Sequence, residues 1–337
     1  MKKLFAFLLA MTMLFAFAAC TAPAAEVPAV DKTSGQEEDS LSISSLARLI
    51  MVTGGDSGTY YAFGGVIANV LSSTVDNLEI TAVTSGASAA NCRSLNNGEA
   101  DLAIMQNDVL DYAVTGTETM AEDGTMPKLR AIASLYPEAV QLVALKSANI
   151  HSIADLKGKR VCVGDQGSGS ETNAKQVLEA YGLSYDDFNV QYLSFSEAST
   201  AMQNGTVDAA FATSALPNSA IQELSKMKEI VVIPIDGEGA DKLIEKHPFY
   251  AKTVIPAATY GVNEAETVAM LATLVCSEDL DEAVVYQITK HLFEEQPAMA
   301  AGHARGGDLD INKALDGVTV DFHDGALRYY REQGVID

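Results

Sequence analysis

Hydrophobic positions along this chain follow two alternating spacings. Short apolar or alternating runs, such as residues 49–52 and 78–84, are typical of β-strands. Between them, apolar residues recur every three or four positions, as in residues 63–71, which is typical of an amphipathic helix. The alternation continues to about residue 258. It predicts an α/β fold in which parallel strands are covered by helices on both faces.

The first strand-to-helix turn, TGGDSGTYY at residues 53–61, is rich in glycine. Ser57 or Thr59 is the expected N-cap of the helix that follows. The remaining first-turn amides lie at the positive end of the helix dipole, so the turn is suited to hold an anion. Many α/β domains have such a turn only for its tight geometry. We nevertheless expect this one to form a lip of a ligand cleft.

A second glycine-rich turn, DQGSGSET at residues 165–172, opens another helix. Ligands of open α/β sheets bind outside the carboxyl ends of the strands. If the two turns belong to facing lobes, each contributes a helix N-terminus to one shared cleft. This arrangement suits a small carboxylate, because backbone amides from both sides hold its oxygens without an arginine.

Three motif-based alternatives fit less well. No GK[ST] follows the first turn, which disfavours a P-loop. The tetrad GDSG at residues 55–58 also surrounds the nucleophile of chymotrypsin-like proteases, but here every histidine lies downstream and a helix follows Ser57. Besides Cys20, the cysteines Cys92, Cys162 and Cys276 form no CxxC and no metal-ligand spacing, so we expect no metal site. Buried free thiols are the expectation for these three, and a disulfide between two of them stays open.

The amino terminus has the features of an export signal. Residues 1–19 carry two lysines and then an apolar run that ends in small residues before Cys20, which indicates a secretory signal peptide. The cysteine resembles a lipobox cysteine and predicts lipidation of Cys20; ordinary cleavage beside an incidental cysteine is the alternative. Residues 20–45 are rich in Ala, Pro, Ser and acids, and they predict a flexible tether. The folded body is then extracytoplasmic, periplasmic or at the cell surface, and touches the membrane only through the lipid.

Composition narrows the range of partners. The chain is 48% hydrophobic and 20% charged, as expected of a globular protein, and its formal net charge is −23. Such acidity argues against nucleic acid and anionic lipid as partners. Roughly 290 residues follow the tether, which favours two lobes over one.

Several segments, in order, resemble one family. They include TGGDSGTYYAFGGVIANVL, LRAIASLYPEAVQLVAL, SIADLKGKRVCVGDQGSGSETNAKQVLEAYGL and ALDGVTVDFHDGALRYYREQG. Together they are similar to the TAXI-type solute-binding proteins of tripartite ATP-independent periplasmic (TRAP) transporters, from about residue 47 to 334. The resemblance implies a two-lobed, type II periplasmic-binding-protein (Venus-flytrap) fold with a mixed sheet in each lobe. It also implies capture of a small organic acid or amino acid, such as glutamate, glutamine or 2-oxoglutarate, for a TRAP permease with fused membrane subunits.

The resemblance further implies which residues contact the ligand, without catalysis, metal or cofactor. They lie on the two lips, at strand ends and at a hinge: Ser57, Gly58, Thr59, Tyr60, Ser85, Gly86, Gln106, Asn107, Tyr136, Gly167, Ser168, Gly169, Ser170, Thr213 and Ser214. A helix cap or turn bond is the alternative role of each hydroxyl. Tyr136 is either a hinge residue or a wall of the cleft. Asp56 and Asp108 are candidates to meet a ligand amine, with solvated loop acids as the alternative.

Residues 129–135 and 139–145 predict two strands hinged at Tyr136 and Pro137. The implied lobes exchange the chain at this hinge and again near residues 256–260. Lobe I then holds residues 46–137 and 257–337, and lobe II holds residues 138–256. The alternative function is a receptor that presents the same ligand class to a signalling protein. An enzyme on a flytrap-like fold is a third possibility, as in porphobilinogen deaminase, but no nucleophile–base–acid set is apparent here.

Overall fold

Strands and helices alternate along residues 41–337, which are the residues that the computed structural model describes. The strands are β1 (Ala47–Val52), β2 (Leu78–Val83), β3 (Leu102–Gln106), β4 (Leu129–Leu145), β5 (Arg160–Cys162), β6 (Asn189–Gln191), β7 (Ala209–Ser214), β8 (Ile230–Ile233), β9 (Ala251–Ile255) and β10 (Ala265–Ser277). The helices are α1 (Thr59–Thr74), α2 (Ser88–Asn96), α3 (Asn107–Thr115), α4 (Gly169–Ala180), α5 (Phe195–Gln203), α6 (Ser219–Met227), α7 (Gly237–Lys246), α8 (Ala257–Tyr260), α9 (Glu282–Glu294), α10 (Gln296–Gly302) and α11 (Asp324–Glu332).

The amino-terminal predictions fall mainly outside these residues. The signal peptide at 1–19, the lipidation of Cys20 and the tether up to residue 40 lie outside the described part of the chain. The predicted end of the tether at residue 45 is too late. Leu41 and Ile43 are buried in the core, and their carbonyls accept hydrogen bonds from Gln287 and Asn77.

The strands form one mixed sheet that two long strands hold together. Its order is β2-β1-β3-β10-β4-β7-β5-β6, with β8 paired to β4 and β9 paired to β10. Strands β1, β2 and β3 are parallel, as are β5, β6 and β7, whereas β4 and β10 run antiparallel to their neighbours. The predicted α/β class with a mixed sheet is confirmed. The two expected sheets are continuous with each other through β4 and β10.

Strand β4 differs from its prediction. Two runs hinged at Tyr136 and Pro137 were expected, but β4 is a single strand of 17 residues. Pro137 pairs with Leu271 of β10 and is exposed, so its missing N–H leaves no buried acceptor unsatisfied.

Hydrophobic residues pack into two halves on either side of β4 and β10. In the first half, α1, α9 and α11 cover one face of the sheet, and α2 and α3 cover the other. In the second half, α4 and α7 cover one face, and α5 and α6 cover the other. Tyr260 and Ala265 pack in the second half, although the sequence assigned residues 257–265 to lobe I. The predicted lobe limits otherwise stay a prediction.

Two further expectations concern cysteines and the membrane. Cys92, Cys162 and Cys276 are buried free thiols, which is the first of the two states expected of them. Within residues 41–337, none of the helices combines the length and the apolar character needed to cross a bilayer.

Candidate ligand-binding site

A cavity lies where the two halves meet. Its wall consists of Gly54, Gly55, Ser57, Gly58, Thr59, Tyr60, Ala87, Ser88, Gln106, Glu138, Asp165, Ser168, Gly169, Ser170, Phe195, Thr213 and Ser214. The volume that the centre of a water-sized sphere can occupy inside it is about 40 Å³. One water needs roughly 10–15 Å³ on this measure, so the cavity as it stands has room for about three waters.

The first lip is the turn between β1 and α1. Gly58 is the N-cap of α1, and no side chain caps the helix, so the expected cap by Ser57 or Thr59 is wrong. The amides of Thr59 and Tyr60 have no acceptor among the described residues. Both residues line the cavity, so these amides and the positive end of the α1 dipole remain available to a bound anion.

The second lip, between β5 and α4, is held by its own side chains. Ser168 is the N-cap of α4, and its hydroxyl accepts a hydrogen bond from the Glu171 amide at 3.1 Å. The Glu171 carboxylate accepts one from the Gly167 amide at 2.6 Å. The Ser170 hydroxyl accepts one from the amide of Thr213 at 2.9 Å. These hydroxyls therefore fix the turn, while the amides of Gly169 and Ser170 lack acceptors in the described part of the chain.

A third helix N-terminus, that of α2, also reaches the cavity. Ala87 is its N-cap and lines the wall together with Ser88. Ala87 has φ 65° and ψ −151°, a conformation that side chains other than glycine rarely adopt. Ser85, which was expected to contact the ligand, instead accepts a hydrogen bond from the Ala87 amide and donates one to Asn91. It holds this strained turn in place.

Seven residues of the wall were not among the predicted contact residues: Gly54, Gly55, Ala87, Ser88, Glu138, Asp165 and Phe195. Glu138 is the one that changes the chemistry of the cavity. It lies on β4, is 1% exposed, and accepts a hydrogen bond of 2.5 Å from the hydroxyl of Tyr60. Burial raises the pKa of Glu138 to about 8, and nearby Asp108 adds to this, while the bond from Tyr60 opposes it. A single acid between two apolar strand runs is the sequence signal that points to it, because buried charge is costly unless it is used.

Two further polar atoms in the wall are unpartnered. Gln106 Oε1 and Thr213 Oγ1 are buried and have no hydrogen-bond partner among the described residues. Gln106 also marks how closely the halves approach. A β-carbon built on Gly169 would lie 2.0 Å from Gln106 Oε1, so the end of that side chain would have to move.

Hydrogen bonds outside the cavity also join the halves. The Ser219 hydroxyl donates to the carbonyl of Ser57 at 2.9 Å. Asn173 of α4 donates to Asp108 of α3 at 3.1 Å and to the hydroxyl of Tyr250 at 2.9 Å. Burial raises the pKa of Asp108 to about 7. Asp108 therefore contacts the opposite half rather than the cavity.

Five predicted contact residues do not line the cavity, and neither does Asp56. Asn107 clamps the chain by donating to the carbonyl of Gly317 and accepting from the amide of Leu271. Tyr136 is buried edge-on against Phe63. Ser85, Gly86 and Gly167 lie in the turns behind the wall. The structure does bring together the other ten: Ser57, Gly58, Thr59, Tyr60, Gln106, Ser168, Gly169, Ser170, Thr213 and Ser214.

Comparison with known families agrees with this architecture. The model of the NMT1-like family matches residues 51–334. The chain belongs to the NMT1-like family. Solved structures similar to this NMT1-like protein include a binding protein of an ABC phosphonate transporter from Pseudomonas aeruginosa, with TM-score 0.53 and 12% identity over 77% of this chain and 79% of that one. The periplasmic aliphatic sulphonate binding protein from Escherichia coli matches with TM-score 0.50 and 18% identity over 86% and 84%. At these identities the likeness shows the fold of the NMT1-like protein, which is that of periplasmic solute-binding proteins.

Proposed function

We propose that this protein is an extracytoplasmic solute-binding protein that captures a small carboxylate, such as glutamate, glutamine or 2-oxoglutarate, and delivers it to a TRAP permease. The observation that carries the proposal is the cavity between the halves, into which both glycine-rich lips present helix N-termini. Proteins that close on a solute bury most of its surface in such a cleft. The proposal includes no catalytic step.

The chemistry of the wall supports a carboxylate. Its residues include neither Lys nor Arg, and the amides of α1, α2 and α4 supply hydrogen-bond donors instead. Three helix dipoles directed at one small space favour negative charge there despite the acidic protein around it. One of the two structural relatives named above is a component of a phosphonate transporter, and the other is a sulphonate binding protein. Anion capture is therefore compatible with this fold.

A titration tests capture directly. Purified protein is titrated calorimetrically with L-glutamate, L-glutamine, 2-oxoglutarate and other small carboxylates, and with their amides as controls lacking the anion. We expect at least one free carboxylate to bind with a 1:1 stoichiometry and to raise the unfolding temperature. Binding of none of them, or equal binding of the amides, would contradict carboxylate capture.

The TRAP partner and the membrane anchor are supported by the sequence resemblance and by the amino-terminal signal with Cys20. Transport is tested in proteoliposomes that contain the permease encoded beside this gene. We expect uptake of the bound carboxylate that depends on this protein and on an ion gradient, without ATP. Uptake that requires ATP would assign the protein to an ABC transporter instead. Mass spectrometry of the mature amino terminus tests the lipid on Cys20.

A further inference from the structure

The buried carboxyl of Glu138 is out of place in a site built for anions. It lines the same cavity as the helix N-termini, and its hydrogen bond to Tyr60 occupies only one of its two oxygens. The second oxygen, Oε1, has no hydrogen-bond partner among the described residues. Asp165 also lines the cavity, and Asp108 lies close enough to affect Glu138 electrostatically. An anionic ligand without a positively charged group would leave these acids without a partner of opposite charge.

Further acceptors line the same wall. Gln106 is 2% exposed and Thr213 is 5% exposed, and each has a side-chain oxygen without a partner. An ammonium group has three N–H donors and no acceptor, so it is the group that such oxygens fit. Cationic side chains are missing from the described wall, which leaves the ligand itself as the source of positive charge. A buried carboxylate is stabilised when it is paired in this way.

We propose that Glu138 is the ammonium-binding residue of the cavity, and that the ligand is therefore an α-amino acid rather than an oxo acid or a dicarboxylate lacking an amine. This inference rests on the proposed function, since the helix N-termini are assigned to the ligand carboxylate. It narrows that function from carboxylates in general to zwitterions. Tyr60 positions Glu138, and the same residue supplies a free amide at the first lip.

Matched pairs of ligands test the inference. The wild-type protein is titrated calorimetrically with L-glutamate and 2-oxoglutarate, L-alanine and pyruvate, and L-leucine and 4-methyl-2-oxopentanoate. Members of each pair differ in the amine and the oxo group but share the side chain. For the pair that fits best, we expect the amino acid to bind at least about 100-fold more tightly, because a buried charge pair is lost in the oxo acid.

Glu138→Gln keeps the shape of the side chain and removes its charge. We expect it to lower amino acid affinity by about 100-fold or more and to reduce the preference over the oxo acid to less than about tenfold. Glu223→Gln makes the same chemical change on the exposed face of α6 and should leave both affinities unchanged. Thermal unfolding of both variants checks that they fold.

A measurement on the wild type does not depend on any variant. When an ammonium pairs with Glu138, the carboxyl must be ionised, so binding near pH 7 should release a proton. Titrations in two buffers with different ionisation heats measure this release. The ionisable groups that face Glu138 are Tyr60, Tyr136, Asp108 and the cavity residue Asp165. Release of no proton, together with oxo acids bound as tightly as amino acids, would mean that a neutral Glu138 donates a hydrogen bond to a ligand carboxylate, which would overturn the inference.

The outcomes separate this inference from the proposed function. Equal or tighter binding of oxo acids, or an unchanged preference in Glu138→Gln, overturns the inference and leaves carboxylate capture intact. Ethylamine and 3-methylbutylamine, which keep the amine of alanine or leucine without the carboxylate, complete the panel. If these amines bind as well as the amino acids, the ammonium site stands and carboxylate capture fails. Binding of no compound overturns both.

Discussion

The two lips of the cavity have similar sequences but are held in different ways. Both are glycine-rich turns between a strand and a helix. In the second lip, Ser168 caps α4 and Ser170 bonds to β7, so the turn is fixed within its own half. In the first lip, the N-cap residue of α1 is Gly58, which has no side chain to cap the helix, and the Tyr60 hydroxyl donates to Glu138 instead. The turn of the second lip is therefore fixed without a ligand, although the first two amides of each helix keep no acceptor among the described residues and remain available to a ligand.

Each lip helix also donates a hydrogen bond to a buried acid outside itself. Tyr60 of α1 donates to Glu138, and Asn173 of α4 donates to Asp108 across the gap between the halves. The first bond lies in the wall of the cavity, and the second joins the halves beside it. The comparison separates two tasks, the recognition of the solute and the contact between the halves, and variants on each lip can disturb one task at a time.

The largest effect is expected from Gly169→Ala in the second lip. The added β-carbon overlaps the amide end of the buried Gln106 side chain, so Gln106 has to leave its place in the cavity wall. We expect a loss of ligand affinity of about 100-fold, measured by calorimetry. Gly65→Ala, whose β-carbon would meet nothing within 4 Å, should bind normally. Unchanged affinity in Gly169→Ala would contradict the displacement of Gln106.

The next effect is a dependence of stability on pH that comes from the two buried acids. The folded-state pKa values of Asp108 (about 7) and Glu138 (about 8) lie above their ordinary values of 3.8 and 4.5. Each acid therefore contributes stability that is fully present at low pH and is lost as pH rises through its folded pKa. Between pH 6.5 and 8.5 we expect these two acids to lower the unfolding free energy by on the order of 2 kcal/mol. Histidines whose pKa burial lowers from 6.5, such as His247 and His323, offset part of this fall just above pH 6.5.

Denaturant titrations without ligand measure this fall. Asp108→Asn should remove the share of this fall that comes from the acid at the contact between the halves. Glu138→Gln should remove the share that comes from the acid in the cavity. Asp76→Asn, on an exposed turn, is the control and should keep the full slope. A wild-type stability that rises with pH over this range would be inconsistent with neutral acids in the empty protein.

Capping provides the most direct contrast between the lips. Ser168→Ala removes the N-cap of α4 and should lower the unfolding free energy by about 1 kcal/mol. Thr59→Ala, at the start of the uncapped α1, should change it by less than about 0.5 kcal/mol. Urea denaturation of both variants measures the difference. Equal losses would mean that the two lips are held in the same way after all.

The smallest effect is expected at the third helix N-terminus. Ala87→Gly relieves a positive φ at which a β-carbon is strained, so the variant should be more stable by roughly 0.5–1 kcal/mol. The opposite change in chain entropy limits the gain. Calorimetric unfolding measures it, and Ala90→Gly, within α2, should instead destabilise the protein.

Local patterns predicted much of this architecture. The period of apolar residues placed β1 and α1, and the glycines of both turns marked two segments that line the same cavity. The N-cap residue of α1 could not be predicted from the sequence, because Ser57, Gly58 and Thr59 are all acceptable N-caps and the backbone conformation decides among them. The break at Pro137 was wrong because proline is tolerated where a strand lacks a partner on one side, and β7 pairs with β4 only from Ala139 onward.

Residues with distant partners could not be assigned from local patterns. Asn107 follows a strand end, as a ligand-binding amide would, but its partner is the carbonyl of Gly317. The local sequence pattern at Asp108 fits a solvated loop acid, whereas in the structure its carboxylate accepts a hydrogen bond from Asn173 of α4. Glu138 lies in a run that periodicity describes only as a strand. Its direction into the cavity depends on how the two halves meet, and no local pattern carries that information.

Strands β4 and β10 pass through both halves and stay paired with each other from Ala139 and Ala269 to Leu129 and Ser277. Any separation of the halves must therefore bend this two-stranded ribbon, which is stiffer than a connection by single unpaired segments. Its register shifts next to Ala272 and Leu274, and such irregularities are where a ribbon twists most easily. A ribbon that bent at these two points would let the lips separate while the remaining β4–β10 pairs stayed in register.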